Sequence, residues 1–217
     1  VILSYDSNDL DMIQNYQYKR TVSLNKPIKF GFVRGPVWNF GDEDMKHGIE
    51  EFVKNAQLDI EELDLGKDFD DAAKAHEIIM NGSIANSLMN YYQTDKSNLH
   101  PFTIKRIEAG IPVSASDYVS AIEQAKKMEQ ILKQFFKKYD AIITPAAPGQ
   151  APRDLMNTGN AIFNGYWTMM GVPAISLPFL KGRDNLPIGI QFIANWSEDL
   201  KLLEICKEVL RKEKLAD

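Results

Sequence analysis

The residues able to break or make bonds are few, and most are removed by their surroundings. His47, His76 and His100 are scattered, and none stands at a spacing that ligates metal. Each reads as a surface or core-edge histidine. Cys206 falls mid-helix on an apolar stripe and reads as a small buried hydrophobe. The run Gly31–Gly35 (GFVRG) follows the start of a strand but lacks the glycine pattern and the lysine of a phosphate loop. No G-x-S-x-G nucleophile elbow occurs. Asp59, Glu61, Glu62, Asp64 and, just beyond, Asp68 have no companion ligands and read as a solvated acidic face. Neither a metal nor a cofactor is expected.

What remains is the stretch 140–194. Three short apolar runs, 141–144, 174–177 and 188–194, are bounded by Pro and Gly as buried strands would be. After the first, Pro145 and Pro148 remove backbone donors, so the chain is expected to leave the sheet there as a loop. Ligands of open α/β sheets generally bind at such strand ends. Thr158-Gly159-Asn160 is read as the start of a helix running to Met170. On that helix Thr158, Ala161, Ile162 and Gly165 share one face at i, i+3, i+4 and i+7, while Phe163, Tyr166, Trp167 and Met170 fall largely on another. The small face either allows close packing of helix on sheet or forms the wall of a substrate channel. The residues alone leave both open.

The elements that must position this stretch follow from periodicity. Residues 1–24 read as a helix tail and a polar connection, with a turn over 5–9 and Asn25-Lys26-Pro27 before the next strand. A strand over 28–33, a helix from Gly41-Asp42-Glu43-Asp44 to about Ala56, and an edge strand within 58–65 form one βαβ unit. Helices are expected over 69–92, with Ala73, His76, Ile79, Met80, Ile84 and Leu88 on one side, and over 102–109. The longest runs from the cap Ser114 to about Lys138, with Tyr118, Ile122, Ala125, Met128, Leu132, Phe135 and Tyr139 as its stripe. A closing helix over 198–210, capped by Ser197, buries Leu202, Ile205, Cys206 and Val209. The fold class is α/β, a mixed sheet flanked by helices.

Composition narrows the function classes. A net charge of −5 with no Lys/Arg cluster argues against nucleic acid. The apolar runs fall far short of the roughly 20 residues a membrane helix needs, and no leader resembling a signal peptide opens the sequence. One cysteine suits a reducing compartment, so the cytoplasm is the expected location. Val1-Ile-Leu opens inside an apolar segment, as a piece of a longer chain would.

Asp140-Ala-Ile-Ile-Thr-Pro145, Gly171-Val-Pro-Ala-Ile-Ser-Leu-Pro178 and Leu186-Pro-Ile-Gly-Ile-Gln191 occur in that order, and together they resemble the C-terminal half of the amidase signature family. Tyr5-Asp6-x-x-Asp9, the segment 28–34, Ile107-Glu-Ala-Gly110 and Ser116-Asp117-Tyr118 extend the resemblance over nearly the whole chain. It implies a partial amidase-signature fold, with residues 1–217 as a single C-terminal portion. It also implies amide hydrolysis through an acyl-enzyme, in which a serine is activated by a second serine and a lysine. In the family these groups precede the region matching Val1, so no catalytic residue is expected here and the isolated chain is expected to be inactive.

The resemblance further makes the helix after the Asp-x-x-x-Thr-Pro strand the acyl side of the pocket, and so implies substrate-binding roles for Thr158, Ala161, Ile162 and Gly165. The position matching Ala161 is acidic in glutamyl-tRNA amidotransferases, in the A component that grips glutamine, and apolar in fatty-acid-amide-type members. A neutral or apolar small-molecule amide is therefore the expected partner. The alternatives are a non-catalytic binding or assembly module and that amidotransferase component itself. A homodimer stays open, and a sheet cut at its N-terminal side is expected to leave an unpaired edge and to aggregate.

Overall fold

The computed structural model describes residues 6–9, 12, 22–24 and 27–214. The expected helix tail at the N-terminus and the Asn25-Lys26 punctuation lie outside the described residues. The turn is present within them: Asp6 accepts from the Asn8 N–H at 2.9 Å and its carbonyl accepts from the Asp9 N–H.

Five strands form one mixed sheet in the order β2-β1-β3-β5-β4, where β1 is Lys29–Phe32, β2 Asp59–Glu62, β3 Ala141–Pro145, β4 Ala174–Lys181 and β5 Pro187–Ile193. β1 lies parallel to both β2 and β3, whereas β5 runs antiparallel to β3 and to β4. The β1–α1–β2 unit forms as periodicity predicts, with α1 over Glu43–Asn55. Asp42 caps that helix by accepting from the Met45 N–H at 2.8 Å, and Glu43 and Asp44 sit where the helix dipole favours negative charge. Met45 and Ile49 are fully buried. Phe52 stacks on Phe179 of β4, and Phe179 meets Phe192 of β5 edge-on, so one apolar layer joins α1 to the antiparallel half of the sheet.

β3 is buried along its whole length. At its foot Asp140, 7% exposed, accepts from the Lys29 N–H at 3.2 Å, pairs with Lys201 at 3.2 Å and donates its own N–H to the Lys29 carbonyl. Lys201 belongs to α6, Asp199–Lys214. One carboxylate therefore ties β1, β3 and the closing helix together.

Several boundaries differ from expectation for local reasons. Pro145 stays in the ladder, opposite Ile190, and Ala146 donates to the Gly189 carbonyl, because a proline in the last ladder position loses only one donor. β4 continues past Pro178 to Lys181 through a register shift between Leu177 and Leu180, which an edge strand tolerates. Ser197 lies in left-handed backbone (φ 60°), two residues before α6 begins at Asp199; the Glu198 carbonyl accepts from the Leu202 N–H. The stripe Leu202, Ile205, Cys206 and Val209 is buried as expected, and burial pushes the Cys206 thiol up to about 12.

The remaining helices are α2 (Ala72–Thr94), α3 (Pro101–Gly110), α4 (Ala115–Phe135) and α5 (Ile162–Met169). Ser114 caps α4 by accepting from the Asp117 N–H at 3.0 Å. α4 stops at Phe135, before Lys138, because the chain must turn there into β3. The fully buried line of α2 is Ala72, Ala75, Asn81 and Ala85, not the larger side chains expected. Small residues let α3 approach closely: a Cβ on Gly110 would overlap the Asn81 carbonyl and lie 2.7 Å from Ala85 Cβ. Gly110→Ala is therefore expected to destabilise the chain by about 3 kcal/mol, read as a lower urea midpoint; an unchanged midpoint would contradict this helix contact.

Candidate functional site

Because β5 is antiparallel to both its neighbours, β1, β3 and β4 point the same way, and the segments that follow them meet at one edge of the sheet. This is the edge at which α/β sheets bind ligands. The segments are bound to one another by polar contacts. The Asp42 N–H donates to the Pro148 carbonyl at 2.7 Å. Arg183, in the β4–β5 turn, donates to Asp44 from its backbone N–H and from Nε, each at 3.0 Å. Asp184 accepts from Gln150 Nε2 at 2.6 Å and pairs with Arg153 at 2.7 Å. These cations hold the Asp44 and Asp184 carboxyls below the usual range. Each pair is exposed and individually weak, but together they fix the loop between β3 and α5 at three points.

From Ala151 to Ala161 that loop is exposed at every position. Leu155 and Met156 are 96% and 91% exposed, the two most solvent-facing large apolar side chains described. The loop has its own internal bonding: Asp154 accepts from the Met156 N–H, Asn157 from the Gly159 N–H and Asn160 from the Ile162 N–H. Gly159 has φ +83°, which ends any helical path through it.

The expected single face of Thr158, Ala161, Ile162 and Gly165 is corrected by this backbone. Thr158 lies in the loop, Ala161 precedes the helix, and α5 begins only at Ile162. Asn and Asp side chains bonding to the backbone two residues on compete with helix, and they hold the start of α5 four residues later than periodicity placed it. Thr158 and Ala161 are exposed, Ile162 is half-buried and Gly165 is buried. Gly165 does not face open space. A Cβ there would lie 2.6 Å from His76 Nδ1, so the imidazole covers it. On the opposite side Tyr166 and Trp167 are fully buried.

His76 belongs to a groove of about 380 Å³ between α2, α4 and α5, lined chiefly by Ile79, Met80, Ile122, Ala125 and Met169. The half-exposed members of the two expected apolar stripes thus meet in a groove rather than in the core. Burial, then the nearby Arg106 guanidinium, keeps the His76 pKa below its ordinary value, with Glu77 acting weakly the other way.

Chemistry of the familiar kinds does not assemble among the described residues. No group of three or more His, Cys, Asp or Glu side chains there is arranged to hold a metal ion, and no helix is long and apolar enough to cross a membrane. Ser83 bonds Tyr118 and Ser114 bonds Asp117, pairings that activate no nucleophile. The acidic run is more than a solvated face: Glu61 pairs with Lys138, raising the latter to about 12, and Glu62 pairs with Arg34.

A mixed sheet with this order, closed by helices and opening its loops at one edge, defines an α/β fold. The sequence profile described as Amidase matches residues 1–203, and the chain belongs to that family. Over 125 residues it is 34% identical to the A component of the glutamyl-tRNA(Gln) amidotransferase of Aliarcobacter butzleri, covering 52% of this chain and 28% of the relative. To the same component of the Agathobacter rectalis amidotransferase it is 27% identical over a 240-residue alignment, covering 93% and 47%. Among solved structures, one described as an amidase superposes with a TM-score of 0.72 at 17% identity, over 83% of this chain and 44% of that one. The chain spans about half, or less, of the length of these relatives.

Because the folded His76 pKa lies below the unfolded value near 6.5, the unfolded chain takes up the proton first as pH falls, and stability should decline from pH 7.5 towards 5.5. His76→Gln is expected to flatten that decline in urea midpoints; an equal slope in the variant would remove the histidine from the account.

Proposed function

We propose that this chain is the C-terminal portion of an amidase signature domain. Within a longer polypeptide it would supply scaffold strands and one wall of the acyl pocket to a hydrolase that cleaves a neutral or apolar carboxylic amide through a serine acyl-enzyme. The observation that carries the reading is the Amidase match over residues 1–203 in a chain that spans about half of its relatives. Further support comes from the convergence of the β1, β3 and β4 loops at one sheet edge.

On this reading Thr158, Ala161 and Ile162 face the substrate at the start of α5. Gly165, under His76, lets the helix seat closely. An apolar residue at Ala161 offers nothing to a charged amino-acid substrate, and the neighbouring Leu155 and Met156 add apolar surface to the same loop.

A second reading is favoured by the names of the amidotransferase relatives: the A component of a glutamyl-tRNA amidotransferase. Ala161 speaks against it, since a methyl group cannot pair with the charge on a glutamine substrate.

The purified chain is expected to give no turnover of aryl or aliphatic amides, whereas a longer polypeptide containing it hydrolyses them. In that polypeptide Ala161→Asp should lower kcat/KM for an apolar amide on the order of 10- to 100-fold. Turnover by the isolated chain that serine-directed reagents abolish would overturn the proposal, and glutaminase activity would favour the second reading.

A further inference from the structure

Four polar atoms lie buried where α5 meets the sheet: Thr144 Oγ1, Tyr166 Oη, Trp167 Nε1 and Gln191 Nε2, each without a hydrogen-bond partner. They are neighbours. Thr144 on β3 and Gln191 on β5 stand directly opposite each other, so their side chains share a face of the sheet. The Tyr166 hydroxyl lies beside those of Thr144 and the Trp167 indole, near enough for both to oppose the rise in pKa that its burial causes. This proximity does not amount to hydrogen-bond geometry. The Tyr166 and Trp167 rings are 4.7 Å apart. Gly35 closes another side, since a Cβ there would lie 2.6 Å from the Tyr166 hydroxyl.

Leaving four such groups unpaired would cost a large share of the net stability of a domain. Pairing them with one another relieves only part of that cost. All four groups donate, Trp167 Nε1 and Gln191 Nε2 do nothing else, and the acceptors among them are two hydroxyl oxygens. A water molecule brings two lone pairs to a donor-rich site and commonly makes about three bonds in one.

We propose that Thr144, Tyr166, Trp167 and Gln191 form a buried water-binding site that bridges β3 and β5 to α5. Ser176 of the edge strand β4 stands opposite Gln191 and is exposed. The row Ser176, Gln191, Thr144 therefore gives water a polar route from the sheet surface to the cluster. The bridge fixes α5 over the sheet through the two residues of its most buried turn, and with it the position of Ala161 just before the helix. These are positioning residues, and the site holds whether or not the chain forms part of an amidase.

The test is a structure of the chain at a resolution that shows ordered water, together with NOESY and ROESY spectra read at the Trp167 indole proton. At least one water oxygen is expected within hydrogen-bond distance of Tyr166 Oη and of a second member of the cluster. A cross-peak of opposite sign in the two spectra should join the indole proton to water. Trp196, whose indole donates to the Met170 carbonyl at 2.7 Å, serves as the reference indole bonded to protein. Tyr166→Phe and Thr144→Val should each weaken or abolish the cross-peak. Direct pairing of the four groups with no water in reach, or a cross-peak unchanged in both variants, would overturn the proposal. The wild-type result decides it even where a variant does not fold.

Discussion

The Asp140 carboxylate is the constraint on which the sheet depends. It lies nearly buried at the foot of β3, where a charge is costly unless it is paired and hydrogen-bonded. It meets that demand with the Lys29 N–H of β1 and the Lys201 ammonium of α6. Those partners are remote in sequence, so the register of β1 against β3 and the docking of the last helix are settled by one group. β3 is also where the sheet changes from parallel to antiparallel pairing. That change sends β1, β3 and β4 in one direction and brings their trailing loops to a common edge.

Much of this is legible in the sequence because it is written in periodicity and in Pro/Gly punctuation. The three apolar runs between 140 and 194 form β3, β4 and β5, the acidic start at Asp42 forms a capped helix, and the βαβ unit forms with β2 at the sheet edge. Each of those signals is local, and tertiary packing agrees with it. The stripe of α6 is equally clear because every fourth or third apolar residue meets the sheet.

The expected single helical face of small residues does not form, because local hydrogen bonding opposes periodicity. Spacing alone puts Thr158 on the same face as Ala161 and Gly165, but it is blind to Asn157, Asn160 and Asp154 turning the backbone on themselves. The sense in which Gly159 twists the chain is equally invisible to it. The stripes of α2 and α4 mislead for a different reason. A sequence shows which residues share a side, but not that Gly110 and a row of alanines bring α3 close and leave His76, Ile79 and Ile122 along a groove. The loop anchors Asp44, Gln150, Arg153, Arg183 and Asp184 carry no motif at all, since charged residues near turns ordinarily mean solvent.

These corrections change what α5 does. It is an eight-residue helix, too short to be stable by itself, so its position must be imposed from outside. Tyr166 and Trp167 press it into the sheet, His76 closes over Gly165 from α2, and the Trp196 indole donates to the carbonyl of Met170, the residue that caps its C-terminal end. Its first residue, in contrast, emerges from a loop that is exposed from Ala151 to Ala161 and is tied to the sheet edge further back, through Pro148, Gln150, Ala151 and Arg153. Burial therefore falls along α5 from its middle towards Ala161. A substituent at Thr158 or Ala161 can alter the surface presented there with little cost to the fold, whereas one at Gly165 must first displace the His76 ring. The same gradient divides the residues that spacing alone would give to a single helical face: Thr158 and Ala161 are exposed, and Gly165 lies beneath the His76 ring.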